Sequence, residues 1–232
     1  VIAQLKMCEN IRMDSQVMRG RIVLKDSIIE DGVITVEGQF ISHICPASDF
    51  SGELPESSGS TFLPGLVDVH CHGGGGESFP NATTPEAAMQ AVMEHRRHGT
   101  TSLVASCVTA DADTLKARAR TLASLAEKDE IAGIHFEGPF VSHARCGAQD
   151  PTYIVDPDPD LTRELIDECK GYALSMTLAP EKPRAFGEGS VAEALIDGGA
   201  IPSWGHTDSN STFARQALEY SREHFADSST PR

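Results

Sequence analysis

His70 and His72 close an apolar run, Phe62-Leu-Pro-Gly-Leu-Val-Asp-Val-His-Cys-His72, and four glycines, Gly73 to Gly76, follow at once. A strand turns alternate side chains to one face. The two imidazoles therefore share a face and can close on one metal ion while Cys71 turns away. By itself such a pair is equally well a polar strand end at the surface. Two further segments repeat the design. Ile131-Ala-Gly-Ile-His-Phe-Glu-Gly-Pro-Phe140 sets Glu137 at a strand end, where Gly138 and Pro139 stop the strand, and Ala200-Ile-Pro-Ser-Trp-Gly-His-Thr-Asp208 does the same with His206. Taken singly, Glu137 reads as a solvated carboxylate and His206 as a hydrogen-bonded loop histidine. Three strand ends on one side of one sheet instead form a set. Imidazole nitrogen and carboxylate oxygen are ligands for a divalent metal, zinc, iron or manganese, in a hydrolytic site.

The elements that must hold these residues follow from the pattern. Arg21–Leu24, Val33–Val36 and Gln39–Ile44 are short β-branched runs separated by Asp31-Gly32 and Glu37-Gly38, which read as turns of a small antiparallel unit. Residues 48–60, rich in Ser, Gly, Glu and Pro, read as the linker out of it. From Phe62 strands and helices alternate. Thr84-Pro85-Glu86 is a helix start, with an N-cap, a first-turn proline and a first-turn acid, and Gly99 ends that helix. Strand 101–108 follows, then a helix with Leu115, Ala119, Leu122 and Ala126 at helical spacing, then the Glu137 strand. A long loop leads to a helix with Leu161, Leu165 and Cys169, strand 172–179, a helix with Val191 and Leu195, the His206 strand, and a weaker helix around Phe213, Ala217 and Tyr220.

About five strand-helix units with ligands at the C-terminal strand ends imply an α/β fold, a partial (β/α)8 TIM-type barrel. A doubly wound sheet would carry a glycine loop running straight into a helix, whereas Glu77 to Thr83 intervene here. The expected domains are a small β-sandwich-like domain with its linker over residues 1–60 and an incomplete metal-dependent hydrolase barrel over 61–232.

Composition narrows the function. The 232 residues carry 34 acidic and 19 basic side chains, for a net charge of −15. That surface repels phosphate backbones, which excludes nucleic acid as a partner. Part of the charge clusters at Asp150, Asp156, Asp158, Asp160, Glu164, Asp167 and Glu168, read as a solvated loop and helix start. No apolar run approaches the roughly 20 residues of a membrane span, and the N-terminus has no basic region followed by an apolar core. The six cysteines, Cys8, Cys45, Cys71, Cys107, Cys146 and Cys169, are widely spaced, which suits reduced thiols in a cytoplasmic protein.

With these motifs in order the chain resembles the N-acetylglucosamine-6-phosphate deacetylase family of the amidohydrolase superfamily. The matching stretches are Pro64 to Gly76, His135-Phe-Glu-Gly-Pro-Phe140, Cys146-Gly-Ala-Gln-Asp-Pro151, Leu178-Ala-Pro-Glu181 and Gly205-His-Thr-Asp208. The resemblance implies that His70, His72, Glu137 and His206 bind one or two divalent ions and that Ala148 and Gln149 touch a phosphorylated amino sugar. It also implies amide hydrolysis releasing acetate, and a homodimer in the full-length family. Many relatives have histidine where Gln149 stands; glutamine hydrogen-bonds but does not titrate.

The same resemblance marks what is missing. A complete barrel takes about 250 residues. The family's second late histidine, in a Thr-His-x-x-Asn-Ala segment, is expected about twenty residues after His206. That region reads Tyr220-Ser-Arg-Glu-His-Phe-Ala-Asp-Ser-Ser-Thr-Pro-Arg232, where His224 has unmatched neighbours. The strand with the catalytic aspartate has no counterpart, and Asp208 is the nearest carboxylate to that role. The expectation is a truncated chain, inactive or nearly so alone. A non-catalytic fragment that recruits a missing half, and an amidohydrolase acting on a different amide, stand beside the deacetylase reading.

Overall fold

In the computed structural model residues 15–227 are described; Cys8 and the terminal segments lie outside them. The chain divides into two compact units, Val1–Pro64 and Gly65–Arg232.

The first unit is a four-stranded sheet built from β1 (Ser15–Val23), β2 (Ile28–Glu37), β3 (Phe40–Pro46) and β4 (Thr61–Phe62) in the order β3-β2-β1-β4. β1, β2 and β3 are antiparallel, and β4 runs parallel to β1. Val33, Cys45 and Ala47 form its small core with Val17 and Phe50. Gly38 makes the β2–β3 turn in a left-handed conformation, as its sequence implies. Asp31-Gly32, by contrast, is not a turn. It lies inside β2 at a register shift where Gly32 faces Gly20, and a Cβ on Gly32 would sit 2.5 Å from the Ile22 side chain. The glycine is there for close packing, and Asp31 pairs with Arg19 across the ladder at 2.8 Å.

The second unit contains β5 (Leu66–Cys71), β6 (Gly73–Gly74), β7 (Glu77–Ser78), α1 (Pro85–Arg97), β8 (Thr100–Val108), α2 (Ala112–Ala126), β9 (Gly133–Glu137), α3 (Pro159–Glu168), β10 (Ala173–Leu178), α4 (Val191–Asp197), β11 (Ile201–Trp204) and α5 (Ser211–Asp227). Five strands pair in parallel in the order β11-β10-β9-β8-β5, which is five consecutive staves of a (β/α)8 barrel. β6 and β7 make a two-stranded hairpin between β5 and α1.

α1 starts where Thr84-Pro85-Glu86 implies, and α2, α3 and α4 are capped in the same way. Thr84 accepts the Ala87 N–H, Asp111 the Thr114 N–H, Asp158 the Asp160 and Leu161 N–H groups, and Ser190 the Glu193 N–H. The acidic cluster is partly explained this way. Asp158 caps α3, while Asp156, Glu164 and Glu168 pair with Lys182, Lys116 and Arg120. The helices bury Val92, Leu115, Leu122, Leu165 and Leu195 against Ile134, Phe136, Met176 and Leu178 of the sheet. In α1 the small residues Ala88 and Ala91 are buried with Val92, while Met93 is exposed. The opposite, concave face is a groove of about 810 Å³ lined by Val69, His70, Val104, His135, Thr177 and Ile201 among others. Among the described residues no helix is long and apolar enough to cross a membrane.

Loss of one N-cap should weaken this unit measurably. Thr84→Ala is expected to lower unfolding free energy by about 1 kcal/mol, read from urea denaturation, with the exposed neighbour Thr83→Ala close to wild type. Equal stability of the two variants would show that the Thr84 hydroxyl contributes nothing to α1.

Candidate metal centre

The C-terminal ends of β5, β9 and β11 bring His70, His72, Glu137 and His206 together. Glu137 is the hub. Its Oε1 lies 3.4 Å from His70 Nε2 and 3.0 Å from His206 Nε2, and its Oε2 lies 3.1 Å from His72 Nε2. The Nε2 atoms of His70 and His72 are 2.9 Å apart.

Local backbone sets these positions. Cys71 is buried on the far side of β5 from the two histidines, as strand alternation implies. Gly138 ends β9 at φ 95°, and a Cβ there would meet Thr109 Oγ1 at 2.2 Å; no other residue fits that turn. His206 itself has φ 49°, a conformation that costs a non-glycine residue about 1–3 kcal/mol and persists where surrounding contacts hold it. The Ser142 N–H donates to the His206 carbonyl at 2.8 Å, and His206 Nδ1 donates to the Arg145 carbonyl at 2.8 Å.

Those second hydrogen bonds decide what the cluster can hold. A carbonyl oxygen is an acceptor, so the hydrogen of His206 sits on Nδ1. His72 Nδ1 likewise meets the Ser106 carbonyl at 3.3 Å. The neutral rings then aim Nε2 lone pairs at a carboxylate about 3 Å away. Such an arrangement is repulsive until a positive charge enters, either a proton on an imidazole or a metal ion among the four groups. In the metal-free protein the proton solution applies. The bond to Glu137 raises the His72 pKa, and the bond from His72 is the largest cause holding Glu137 at about 2, against the opposing effect of burial. The ligand atoms of His70, His72 and Glu137 all lie within 4.8 Å of one another, close enough for one ion. Three imidazoles and a carboxylate suit zinc, iron or manganese.

Two further side chains brace the cluster, Gln149 in a role the sequence did not give it and His135 not singled out there. Gln149, expected to touch a sugar, is buried and points at Glu137. Its Nε2 donates to Glu137 Oε2 at 2.6 Å, and its Oε1 accepts the Thr109 N–H at 2.7 Å. Ala148 beside it is exposed. His135 lies beneath His70, with ring centroids 4.5 Å apart. It bridges Ser106 Oγ at 2.9 Å and Thr177 Oγ1 at 2.8 Å, so it ties β8, β9 and β10 together. Burial pushes its pKa down to about 4, which keeps the ring neutral. The available signal was its place two residues before Glu137, hence on the same face.

Other sequence candidates lie elsewhere. Asp208, considered for proton transfer, pairs with Arg145 at 2.7 Å, and its N–H donates to Glu181. Glu181 also accepts the Thr207 hydroxyl, so it fastens the loop after β11. His224 stacks on Tyr220 of its own helix, 3.9 Å between centroids, and takes no part in the cluster. Cys146 is half-buried in the Gln149 loop and free, as are all the described cysteines.

Comparison with known proteins gives a consistent set of likenesses. The profile of the Amidohydrolase family matches residues 61–215. N-acetylglucosamine-6-phosphate deacetylase from Bacillus subtilis (strain 168) is 32% identical over 217 residues, 88% of this chain and 53% of that protein. N-acetylgalactosamine-6-phosphate deacetylase from Shewanella sp. (strain ANA-3) is 29% identical over 82% of this chain and 47% of its own length. A mutant of N-acetyl-D-glucosamine-6-phosphate deacetylase from Mycobacterium smegmatis, solved in complex with N-acetyl-D-glucosamine-6-phosphate, superposes with a TM-score of 0.76 at 30% identity, covering 89% of this chain and 53% of that one. The chain spans about half the length of the curated relatives it matches.

The Gln149 contact implies a measurable coupling. Gln149→Ala should weaken zinc binding about 10- to 100-fold, the usual effect of losing a hydrogen-bond partner of a ligand, as read by competition with a chromogenic chelator. Unchanged affinity would mean that Glu137 is oriented without it.

A pH dependence follows for the metal-free protein. Glu137 is lowered from 4.5 to about 2, so its contribution is complete above pH 4.5 and is lost as pH falls toward 2. The His72 pKa is raised above 6.5, so its contribution is complete below pH 6.5 and is lost as pH climbs through the raised value. The stability difference between wild type and Glu137→Gln in urea should therefore be greatest between pH 4.5 and 6.5. A difference independent of pH would rule out the charged pair.

Proposed function

Since the chain belongs to the amidohydrolase family, we propose that His70, His72, Glu137 and His206 hold a divalent metal ion. The chemistry served is hydrolysis of the N-acetyl group of an amino sugar 6-phosphate, N-acetylglucosamine 6-phosphate first of all. The observation that carries this reading is the convergence of three imidazole nitrogens on the Glu137 carboxylate at 3.0–3.4 Å. When bound, the ion supplies Lewis-acid polarisation of a carbonyl and activation of water. The chain's own residues do the rest of the positioning. The Arg145 and Ser106 carbonyls fix the tautomers of His206 and His72, Gln149 holds the free side of Glu137, and His135 backs His70. The groove below, with Ser175 and Ser203 on its wall, offers hydroxyls to a polyhydroxylated ligand. Zinc, iron and manganese all suit the donors, with one or two ions per chain. The same reading includes a cytoplasmic location and the family's homodimeric assembly.

Release of the amine needs an acid. Among the described residues the cluster contains one carboxylate, Glu137, while Asp208 and Glu181 are committed to Arg145 and to Thr207 and the Asp208 N–H. Positioned general acid-base help is worth about 100- to 10,000-fold. The likeness to the Shewanella N-acetylgalactosamine-6-phosphate deacetylase supports a second reading that differs only in the sugar epimer.

The test is calorimetric binding of both sugar phosphates to metal-loaded chain, with acetate release measured in parallel. Binding of one of them that requires metal and is lost in His70→Ala supports the proposal, together with turnover far below the ordinary enzyme range of about 1 to 1,000 per second. No binding of either sugar to the loaded protein would refute it.

A further inference from the structure

Along β5 the ladder to β8 loses step. Asp68 faces Leu103 and Cys71 faces Ala105, so three steps on β5 match two on β8. This is a β-bulge, and it changes which residues share a face. Strict alternation would put Asp68 with His70 on the groove side. With the bulge, Val69 and His70 both line the groove, and Asp68 joins Cys71 on the opposite face.

On that face α1 presents His95. Its Nε2 donates to the Gly73 carbonyl oxygen at 3.1 Å and lies 3.1 Å from Cys71 Sγ, so an entering ion takes the place of that hydrogen, with the ring keeping its proton on Nδ1; the same oxygen is 3.8 Å from the sulfur. The ligand atoms of Asp68, Cys71 and His95 all lie within 4.8 Å of one another. Among the described residues no lysine or arginine pairs with Asp68; its Oδ1 accepts the His70 N–H at 3.1 Å. The half-buried carboxylate thus faces a thiol and an imidazole with no cation of the protein to balance it.

We propose that Asp68, Cys71 and His95 form a second metal site, for a thiophilic divalent ion of the zinc type, on the face of β5 turned away from the His70, His72, Glu137 and His206 cluster. One sulfur, one imidazole nitrogen and one carboxylate oxygen, with the Gly73 carbonyl beside them, supply up to four donors. The separations suit an ion reaching sulfur at about 2.3 Å and nitrogen at about 2.0–2.1 Å. Thiolate with imidazole selects zinc over calcium, magnesium or manganese. Cys71 is buried, whereas Asp68 and His95 are partly exposed and leave a way in. Zinc binds cysteine as the thiolate, so the entering ion displaces the proton of the Cys71 thiol to solvent. Its effect on the fold is a cross-link. Asp68 and Cys71 belong to β5 and His95 to α1, so the ion ties the strand that carries His70 to the helix packed behind it.

Cadmium titration of the full chain tests this, because a cadmium-thiolate bond absorbs in the ultraviolet and imidazole-carboxylate ligation does not. The expected result is one thiolate band per chain, present in wild type, in Cys146→Ser and in the His70→Ala/His72→Ala double variant, which disables the first cluster. The band should vanish in Cys71→Ala, and cadmium affinity should fall at least about tenfold in His95→Gln, which leaves the sulfur in place. The proposal is overturned by the absence of a band in wild type at two equivalents of cadmium, by a band that survives Cys71→Ala, or by unchanged affinity in His95→Gln. The double variant separates this site from the first, since loss of sugar binding there leaves the thiolate band as the independent readout.

Discussion

A carboxylate surrounded by imidazole nitrogens, with too few protons to go round, is the constraint on which the second unit depends. Glu137 sits at the end of β9, the central strand of the five. Its two oxygens meet His70, His72, His206 and the Gln149 amide. His72 and His206, whose Nδ1 hydrogens meet backbone carbonyls, present Nε2 lone pairs to an anion, and a group of acceptors is stable only around a positive charge. A proton on an imidazole meets that need, and the bond from His72 holds the Glu137 carboxyl below the usual carboxylate range. A divalent ion meets it with one charge centre and leaves every ring neutral. The geometry of three strand ends, two backbone carbonyls and one buried glutamine serves that single electrostatic requirement.

Beneath the cluster lies a polar layer. Ser106, His135 and Thr177 run across β8, β9 and β10, each strand contributing one residue. Ser106 Oγ also accepts the Cys71 N–H at 3.1 Å, so the layer continues to β5 at the bulge. A buried imidazole is tolerated there because both of its nitrogens meet hydroxyls, and no buried side-chain polar atom among the described residues lacks a partner. The result is a hydrogen-bonded floor under the four side chains, where leucine or valine would leave their positions to packing alone.

The loop after β11 shows how the same end of the sheet is fastened from outside. Glu181 takes the Thr207 hydroxyl and the Asp208 N–H, Arg145 pairs with Asp208, and the Arg145 carbonyl orients His206. These contacts hold His206 in its left-handed conformation. They also occupy Asp208, the carboxylate that the sequence offers for proton transfer.

Much of this was legible from residue order. Alternation put His70 and His72 on one face and Cys71 on the other; the apolar runs ended at Glu137 and His206; and Thr84 marked the start of α1 now seen. Those inferences work because strand alternation and helix capping act over two to four residues of one chain segment. Tertiary structure decided the rest. Asp31-Gly32 has turn chemistry but lies within β2, because its partner strand brings Ile22 against Gly32. Asp68 changes face through a slip against β8 that nothing in its own neighbours encodes. Gln149 turns inward to Glu137, and Asp208 turns outward to Arg145. Each outcome depends on which strand or loop arrives alongside, and a contact between residues 12 or 63 positions apart exists only once the sheet has brought their segments together.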